Sequence, residues 1–193
     1  AALDYLRSEG FLGDNICDTG FSFDIKIIRA QGSYVCGEET ALINSIEGQR
    51  PEVRVRPPYP VYRGLFNQPT IVINVETLAS LHYIMDKGGE AWKAIGTDRS
   101  SGTKLVSLDG FFSNPGIYEV EMGVPLAEIV NELGGRFKAP VKALQIGGPL
   151  GCIIPIYKID DLTLDFESFS SKGFILGHAS VLCIPESFPM IDF

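Results

Sequence analysis

One stretch limits the possible folds more than any other. It runs Gly32-Ser33-Tyr34-Val35-Cys36-Gly37-Glu38-Glu39-Thr40-Ala41-Leu42, then Val53-Arg54-Val55-Arg56-Pro57-Pro58-Tyr59-Pro60, then Asn74-Val75-Glu76-Thr77. Its glycines and prolines punctuate the chain, so only short elements fit between them. Packing alone seldom requires two adjacent acids, two arginines and glycine-containing joints together. Loops of this kind, held by a rigid scaffold, are where binding residues concentrate. Just ahead, Phe23-Asp24-Ile25-Lys26-Ile27 alternates apolar and polar, which predicts a half-buried strand ending near Ile28. Thr40 to Glu47 reads as a helix closed by Gly48, with Ala41, Leu42, Ser45 and Ile46 inward. A strand, a glycine-containing turn and a helix N-terminus in that order present free backbone N–H groups. Glu38 and Glu39 at that end are first of all capping acids, favoured by the helix dipole. If the next run is extended, Arg54 and Arg56 share one face, to meet phosphates or to pair with nearby acids. Pro57-Pro58-Tyr59-Pro60 is expected to be a stiff, extended connector.

Further on, Thr70-Ile71-Val72-Ile73 predicts an apolar strand, and Glu76 to Ile84 a helix. Val75, Leu78, Ala79 and Met85 are its expected core contributors, and His82 is read as structural. A second short helical piece holds Ala91, Trp92 and Ile95. The segment Gly96 to Gly102, rich in Gly, Thr, Ser and Asp, is the best domain boundary. A different rhythm follows, with strands predicted at 104–110, 117–121, 143–146 and 179–184 and a helix at Pro125 to Leu133. That is a small α+β domain with one helix across a sheet. Gly147, Gly148 and Gly151 either let a ligand approach or, on the simpler reading, turn the chain.

Composition sets outer limits. The 193 residues are 45% hydrophobic, enough for a core, and carry a formal charge of −8 with no long basic run. Capture of a nucleic-acid backbone is not expected from that balance. No run of about twenty apolar residues appears, so no direct membrane insertion is expected. Cys17, Cys36, Cys152 and Cys183 are widely spaced and the histidines are only His82 and His178, which gives a metal site no support. Reduced thiols and a cytoplasmic setting follow as the expectation. Both ends read as cut from something longer.

Taken together, these motifs resemble one family: the flavin-bearing, NADH-oxidising subunit of respiratory complex I and its soluble relatives. Those relatives include subunits of NAD(P)-linked hydrogenases and formate dehydrogenases. The resemblance lies in Gly32-x-Tyr34-Val35-Cys36-Gly37-Glu38-Glu39-Thr40-Ala41-Leu42, Ser45-Ile46-Glu47-Gly48-x-Arg50, Pro57-Pro58-Tyr59-Pro60, Gly64-Leu65-Phe66 and Asn74-Val75-Glu76-Thr77-Leu78-Ala79. It continues through Gly116-Ile117-Tyr118-Glu119, Met122-Gly123, Gly147-Gly148-Pro149 and Leu176-Gly177 to Pro185-Glu186.

The resemblance implies an α/β fold: the second half of an atypical Rossmann-like flavin domain over 1–97, then a small α+β β-grasp domain of the soluble-ligand-binding kind over 101–187. Residues 188–193 would begin an iron–sulfur domain. It implies FMN and NAD(H) as cofactors and, in the parent protein, a 4Fe–4S cluster with no ligands in this chain. Tyr34, Gly37, Glu38 and Glu39 match the loop lining the flavin and nicotinamide site. Asn74 and Thr77 match residues near the flavin phosphate, and Arg56 stands where the family usually has a lysine near the dinucleotide. Other subunits of an electron-transfer complex are the implied partners, with any membrane association coming through them. Three departures stand out. The family's glycine-rich flavin loop precedes these residues, its cysteine cluster follows them, and Ile73 replaces the first of two asparagines. The isolated chain is therefore expected to be inactive. The rival readings are a small-ligand-binding or subunit-docking module, and a degenerate paralogue marked by Ile73.

Overall fold

The computed structural model describes residues 1–30 and 32–192. It is a mixed α/β structure with a five-stranded sheet. It forms two compact units, Ala1–Ile73 and Asn74–Phe193, which divide upstream of the glycine-rich segment 96–102.

The first unit is built of short helices and turns. Helix α1 is Ala2–Ser8, α2 is Glu39–Ile46 and α3 is Pro60–Arg63. Helix α2 starts and ends one residue earlier than the sequence indicates, with Gly48, at a left-handed φ of 78°, just beyond its C-cap Glu47. It buries Thr40, Ala41, Ile43 and Asn44. Leu42, Ser45 and Ile46, expected on the inward stripe, are only half-buried.

The strands expected at 23–27 and 70–73 do not form, and the run 53–56, extended only as a condition, is no strand either. Only Phe23 pairs, in an isolated bridge with Gly13. Alternation prepares a strand, but a strand persists only beside another one, and here the described residues supply no neighbour. The proline run also departs from expectation. It is not an extended connector: the chain bends over 56–58, where the Arg56–Pro57 and Pro57–Pro58 bonds are cis, and Pro60 opens α3 at its first position, where a missing N–H costs nothing.

The second unit begins with α4, Val75–Lys87, and α5, Gly89–Lys93. Its sheet consists of β1 Thr103–Leu108, β2 Gly116–Glu121, β3 Val141–Ile146, β4 Cys152–Pro155 and β5 Ser180–Pro185, in the order β2-β1-β5-β3-β4. β1 and β5 run parallel, while β1–β2, β3–β5 and β3–β4 are antiparallel. Helix α6, Leu126–Glu128, continues as a π-helical turn over Ile129–Leu133, and α7 is Phe166–Ser171.

One face of the sheet carries the core. Val106 and Leu108 of β1, Leu144 and Ile146 of β3, Ile154 of β4, and Val181 and Cys183 of β5 pack with Leu126, Ile129 and Val130 of the α6 segment. Alternation along β1 puts Val106 and Leu108 on one side, which is what a sheet with one covered face requires. The π turn lets Gly134 N–H reach the Ile129 carbonyl and sets Gly134 against Phe112. A Cβ at Gly134 would lie 2.4 Å from the Phe112 ring, so a larger residue there would displace it.

Sequence reasoning misses β4 and α7. The three glycines after β3 do turn the chain, joining β3 to β4: Gly147 and Gly148 have left-handed φ values, and a Cβ at Gly151 would fall 2.0 Å from the Ile146 carbonyl. A second correction concerns α4. Val75, Leu78, Ala79 and Met85 are all exposed, Val75 at 79% and Met85 at 84%. The helix is instead anchored through Glu76, which accepts hydrogen bonds from Lys104 and the Leu105 N–H, and through Tyr83 against Trp92. Amphipathic periodicity is present, but its apolar stripe has no cover among the described residues.

Candidate functional site

The site is assembled at the start of α2. Tyr34–Gly37 form a 3-10 turn, and Glu38 follows in extended conformation as the N-cap of α2. One Glu38 carboxylate oxygen accepts from the backbone N–H groups of Thr40 and Ala41, both at 2.9 Å, and from the Thr40 hydroxyl. Its other oxygen accepts from Arg56. The capping reading of the sequence is therefore correct for Glu38, which satisfies two orphan donors of the first turn.

Burial acts to raise the Glu38 pKa. The Thr40 hydroxyl, the two backbone N–H groups and the Arg56 guanidinium outweigh it and hold the carboxyl below its ordinary value. Among the described residues the Glu39 carboxylate makes one polar contact, an ion pair of 3.2 Å with the other terminal nitrogen of Arg56. Two carboxylates thus share one guanidinium, leaving the cluster with a net negative charge. Arg56 pairs with both neighbouring acids, Glu38 and Glu39, one of the two alternatives that the sequence leaves open.

Thr40 is the joint that sequence reasoning overlooks. Its hydroxyl donates to Glu38 and accepts from the Arg54 N–H at 2.9 Å, tying the acid turn to the arginine run. Arg54 then spreads its guanidinium over Asn44, at 2.7 Å, and Glu47, at 2.7 Å. Glu47 also accepts from the Phe66 N–H at 2.7 Å. A planar fork suits such divergent acceptors better than a lysine would. The signal is visible in part: an arginine two residues before Arg56, and a threonine at the second position of a helix. The side-chain network across Thr40 has no sequence period to reveal it.

The other predicted residues are placed as follows. Tyr34 is exposed at 61% beside the turn, and at Gly37 an added Cβ would meet open space. Asn74 and Thr77 belong to the second unit. Asn74 caps α4, its side-chain oxygen accepting from the Glu76 N–H at 2.8 Å, and Thr77 is exposed in the same turn. Cys36 lies 3.3 Å from the Ser33 hydroxyl, which, helped by the Ser33 backbone, holds the thiol below its usual range. By contrast, burial first, and then the charge of Asp109, push the Cys183 thiol upward. His82 is exposed and bonds its own helix through Nδ1 and the Ala79 carbonyl at 2.6 Å.

Two cavities accompany these residues. One of about 350 Å³ in the first unit is lined by Thr40, Glu47, Gln49, Arg54, Pro60 and Arg63. One of about 810 Å³ in the second unit is a groove lined by Thr77, Ser80, Tyr83, Trp92, Lys104 and Met122, among others. No group of three or more metal-binding side chains occurs among the described residues. No helix among them is long and apolar enough to cross a membrane.

Comparison with known proteins gives this geometry a context. Residues 1–83 match the family model described as the Nuo51 FMN-binding domain. The chain is 41% identical over 192 residues to the second F-type subunit of the NADH-quinone oxidoreductase of Rhizobium meliloti, covering 98% of this chain and 45% of that protein. It is 45% identical over 172 residues to the alpha subunit of the NAD-reducing hydrogenase HoxS of Cupriavidus necator, covering 89% and 28%. Among solved structures, the H2-reduced NAD+-reducing NiFe hydrogenase matches with a TM-score of 0.76 at 37% identity, over 85% of this chain and 28% of that one. The homologues of this chain are thus F-type subunits of NADH-quinone oxidoreductases and subunits of NAD-reducing hydrogenases. The chain spans less than half the length of these relatives.

Proposed function

We propose that these residues are part of a flavoprotein in which NADH gives a hydride to FMN and electrons leave singly to iron–sulfur centres. The observation that carries this reading is the match of residues 1–83 to an FMN-binding domain, with the acid–arginine cluster inside the matched stretch. When bound, FMN supplies the hydride-accepting and electron-splitting chemistry, while the protein supplies binding, orientation and electrostatics. The residues fit that task in part. Tyr34 offers an exposed aromatic ring, Gly37 an open backbone, and Glu39 a carboxylate with a single partner among the described residues.

Each residue then has a separate task. Glu38, held by two backbone N–H groups, fixes the turn and aims Arg56. Glu39 orients the nicotinamide nucleotide through its unused oxygen. Arg56 neutralises a phosphate by exchanging one of its carboxylate partners for it. Asn74 and Thr77 serve the flavin phosphate side, Asn74 through its amide nitrogen, since its oxygen already caps α4. Ile73 contributes no hydrogen bond there, so flavin affinity rests on the remaining polar groups.

We also infer that the second unit contains a β-grasp domain. Supporting this are the strand order, the parallel β1–β5 pair and the α6 segment packed across one sheet face. Its role would be to dock neighbouring subunits, as the multi-subunit nature of the relatives fits.

The test is a pair of titrations on the flavoprotein that carries these residues. Glu39→Gln is expected to weaken NADH binding about tenfold, roughly one lost charged hydrogen bond, with FMN binding unchanged. Unaltered NADH affinity would remove Glu39 from the site. Failure of the unmodified protein to bind FMN at all would remove the function.

A further inference from the structure

Glu76 lies between the two residues assigned to the flavin phosphate, yet it carries the same sign of charge as that phosphate. Asn74 and Thr77 stand three apart at the start of α4 and share one side of it. Glu76 projects from an adjoining side within the same turn. A bare carboxylate one turn away lies inside the screening length of about 8 Å at physiological salt, so it would repel a phosphate dianion.

Two groups of β1 meet that charge. One Glu76 oxygen accepts from the Lys104 ammonium, and the other accepts from the Leu105 N–H at 2.8 Å. β5 pairs with β1 only at Ser107 and Leu108, so the preceding stretch of β1 is left for Glu76. The Lys104 side chain is 13% exposed, and among the described residues its ammonium has this one partner. A lysine so covered needs a partner, and the pair is poorly screened by salt. Glu119, the other carboxylate along the same groove, takes the Thr103 hydroxyl at 2.6 Å instead. β1 is held between β2 and β5 and sends Val106 and Leu108 into the core, which makes it a firm anchor.

We propose that Lys104 is a positioning residue for the flavin phosphate: it holds Glu76 against β1 and offsets its charge, so that Asn74 and Thr77 can take a dianion. The proposal rests on the flavoprotein reading. Preference for FMN over riboflavin, which lacks the phosphate, then depends on a strand of the sheet as well as on the residues that touch the flavin.

The flavoprotein that carries these residues, stripped of flavin and titrated with FMN and with riboflavin, tests this. Lys104→Met leaves the acid unopposed and is expected to weaken FMN binding roughly tenfold while changing riboflavin binding by less than about twofold. Adding Glu76→Gln to Lys104→Met removes the charge too, and is expected to bring FMN affinity back to within about threefold of the parent. Equal weakening of both flavins by Lys104→Met would make the pair merely structural and overturn the proposal, as would unchanged FMN binding or no recovery in the double variant. Should Lys104→Met fail to fold, Glu76→Gln alone decides. Its amide oxygen still accepts a hydrogen bond and Lys104 is left as a free positive charge, so FMN should bind about threefold tighter. Unchanged or weaker binding there would overturn the proposal. An unmodified protein that binds neither flavin would reject the flavoprotein function itself, whereas FMN binding that ignores Lys104→Met rejects only the role of Lys104.

Discussion

The two units of this chain handle the same kind of sequence in opposite ways. In the second unit, apolar alternation becomes paired strands around a shared core that includes Val106, Leu144, Ile146 and Val181. In the first, equally good alternation at Phe23, Ile25 and Ile27 remains exposed and is paired only at Phe23 among the described residues, and order comes from polar networks around α2. Burial of apolar area is the main favourable term in folding. The second unit therefore carries its own stability. The first depends on hydrogen bonds and ion pairs, whose net contributions are smaller. It follows that substitutions of similar size should have very different effects in the two units.

The largest effect should come from the sheet unit. Phe112 is fully buried, with its ring centroid 5.2 Å from that of Phe137. Phe112→Ala is expected to cost about 3–5 kcal/mol in a urea titration. A loss below about 1 kcal/mol would mean that this core is not the source of stability. Next comes the hub of the first unit. Arg54→Ala leaves Glu47 without its cation and Asn44 without a donor, with an expected loss of about 1.5–3 kcal/mol. If this substitution matched Phe112→Ala, the contrast between the units would disappear.

A smaller effect is expected at the helix cap. Glu38→Ala removes the acceptor for Thr40 and Ala41, costing about 1 kcal/mol. The folded protein holds Glu38 below its ordinary pKa, so its stabilising contribution is complete above about pH 4.3 and is lost as pH falls through the lower folded value. The variant should therefore show a flatter decline of stability with acid than the parent chain. Identical acid profiles would place the titration elsewhere. Smallest of all is Met85→Ser on the exposed stripe of α4, expected within about 0.5 kcal/mol of no change. A larger loss in the isolated chain would show that the stripe is already covered.

The same contrast explains what can be read from the sequence. Helix α2, helix α4 and four of the five strands are legible, because period and punctuation are local. β4 is not, since Cys152-Ile153-Ile154-Pro155 is short and follows directly on glycines. What periodicity cannot convey is which surface will cover an apolar face. That is why Val75, Leu78 and Met85 are expected inside and lie outside, and why the strands at 23–27 and 70–73 are expected and are absent. At the site, the acid pair and Arg56 are legible as a group. The part played by Thr40 is not, because one hydroxyl bridging two backbone segments leaves no pattern in the chain.

Native-state hydrogen exchange across the whole 193-residue chain tests the division most directly. The account expects amides of β1, β3 and β5 to exchange only through global unfolding, and those of residues 26–28 and 71–73 to exchange near their unprotected rates. Comparable protection in both sets would contradict it: the first unit would then hold a closed sheet of its own, and its apolar segments would need no further partner.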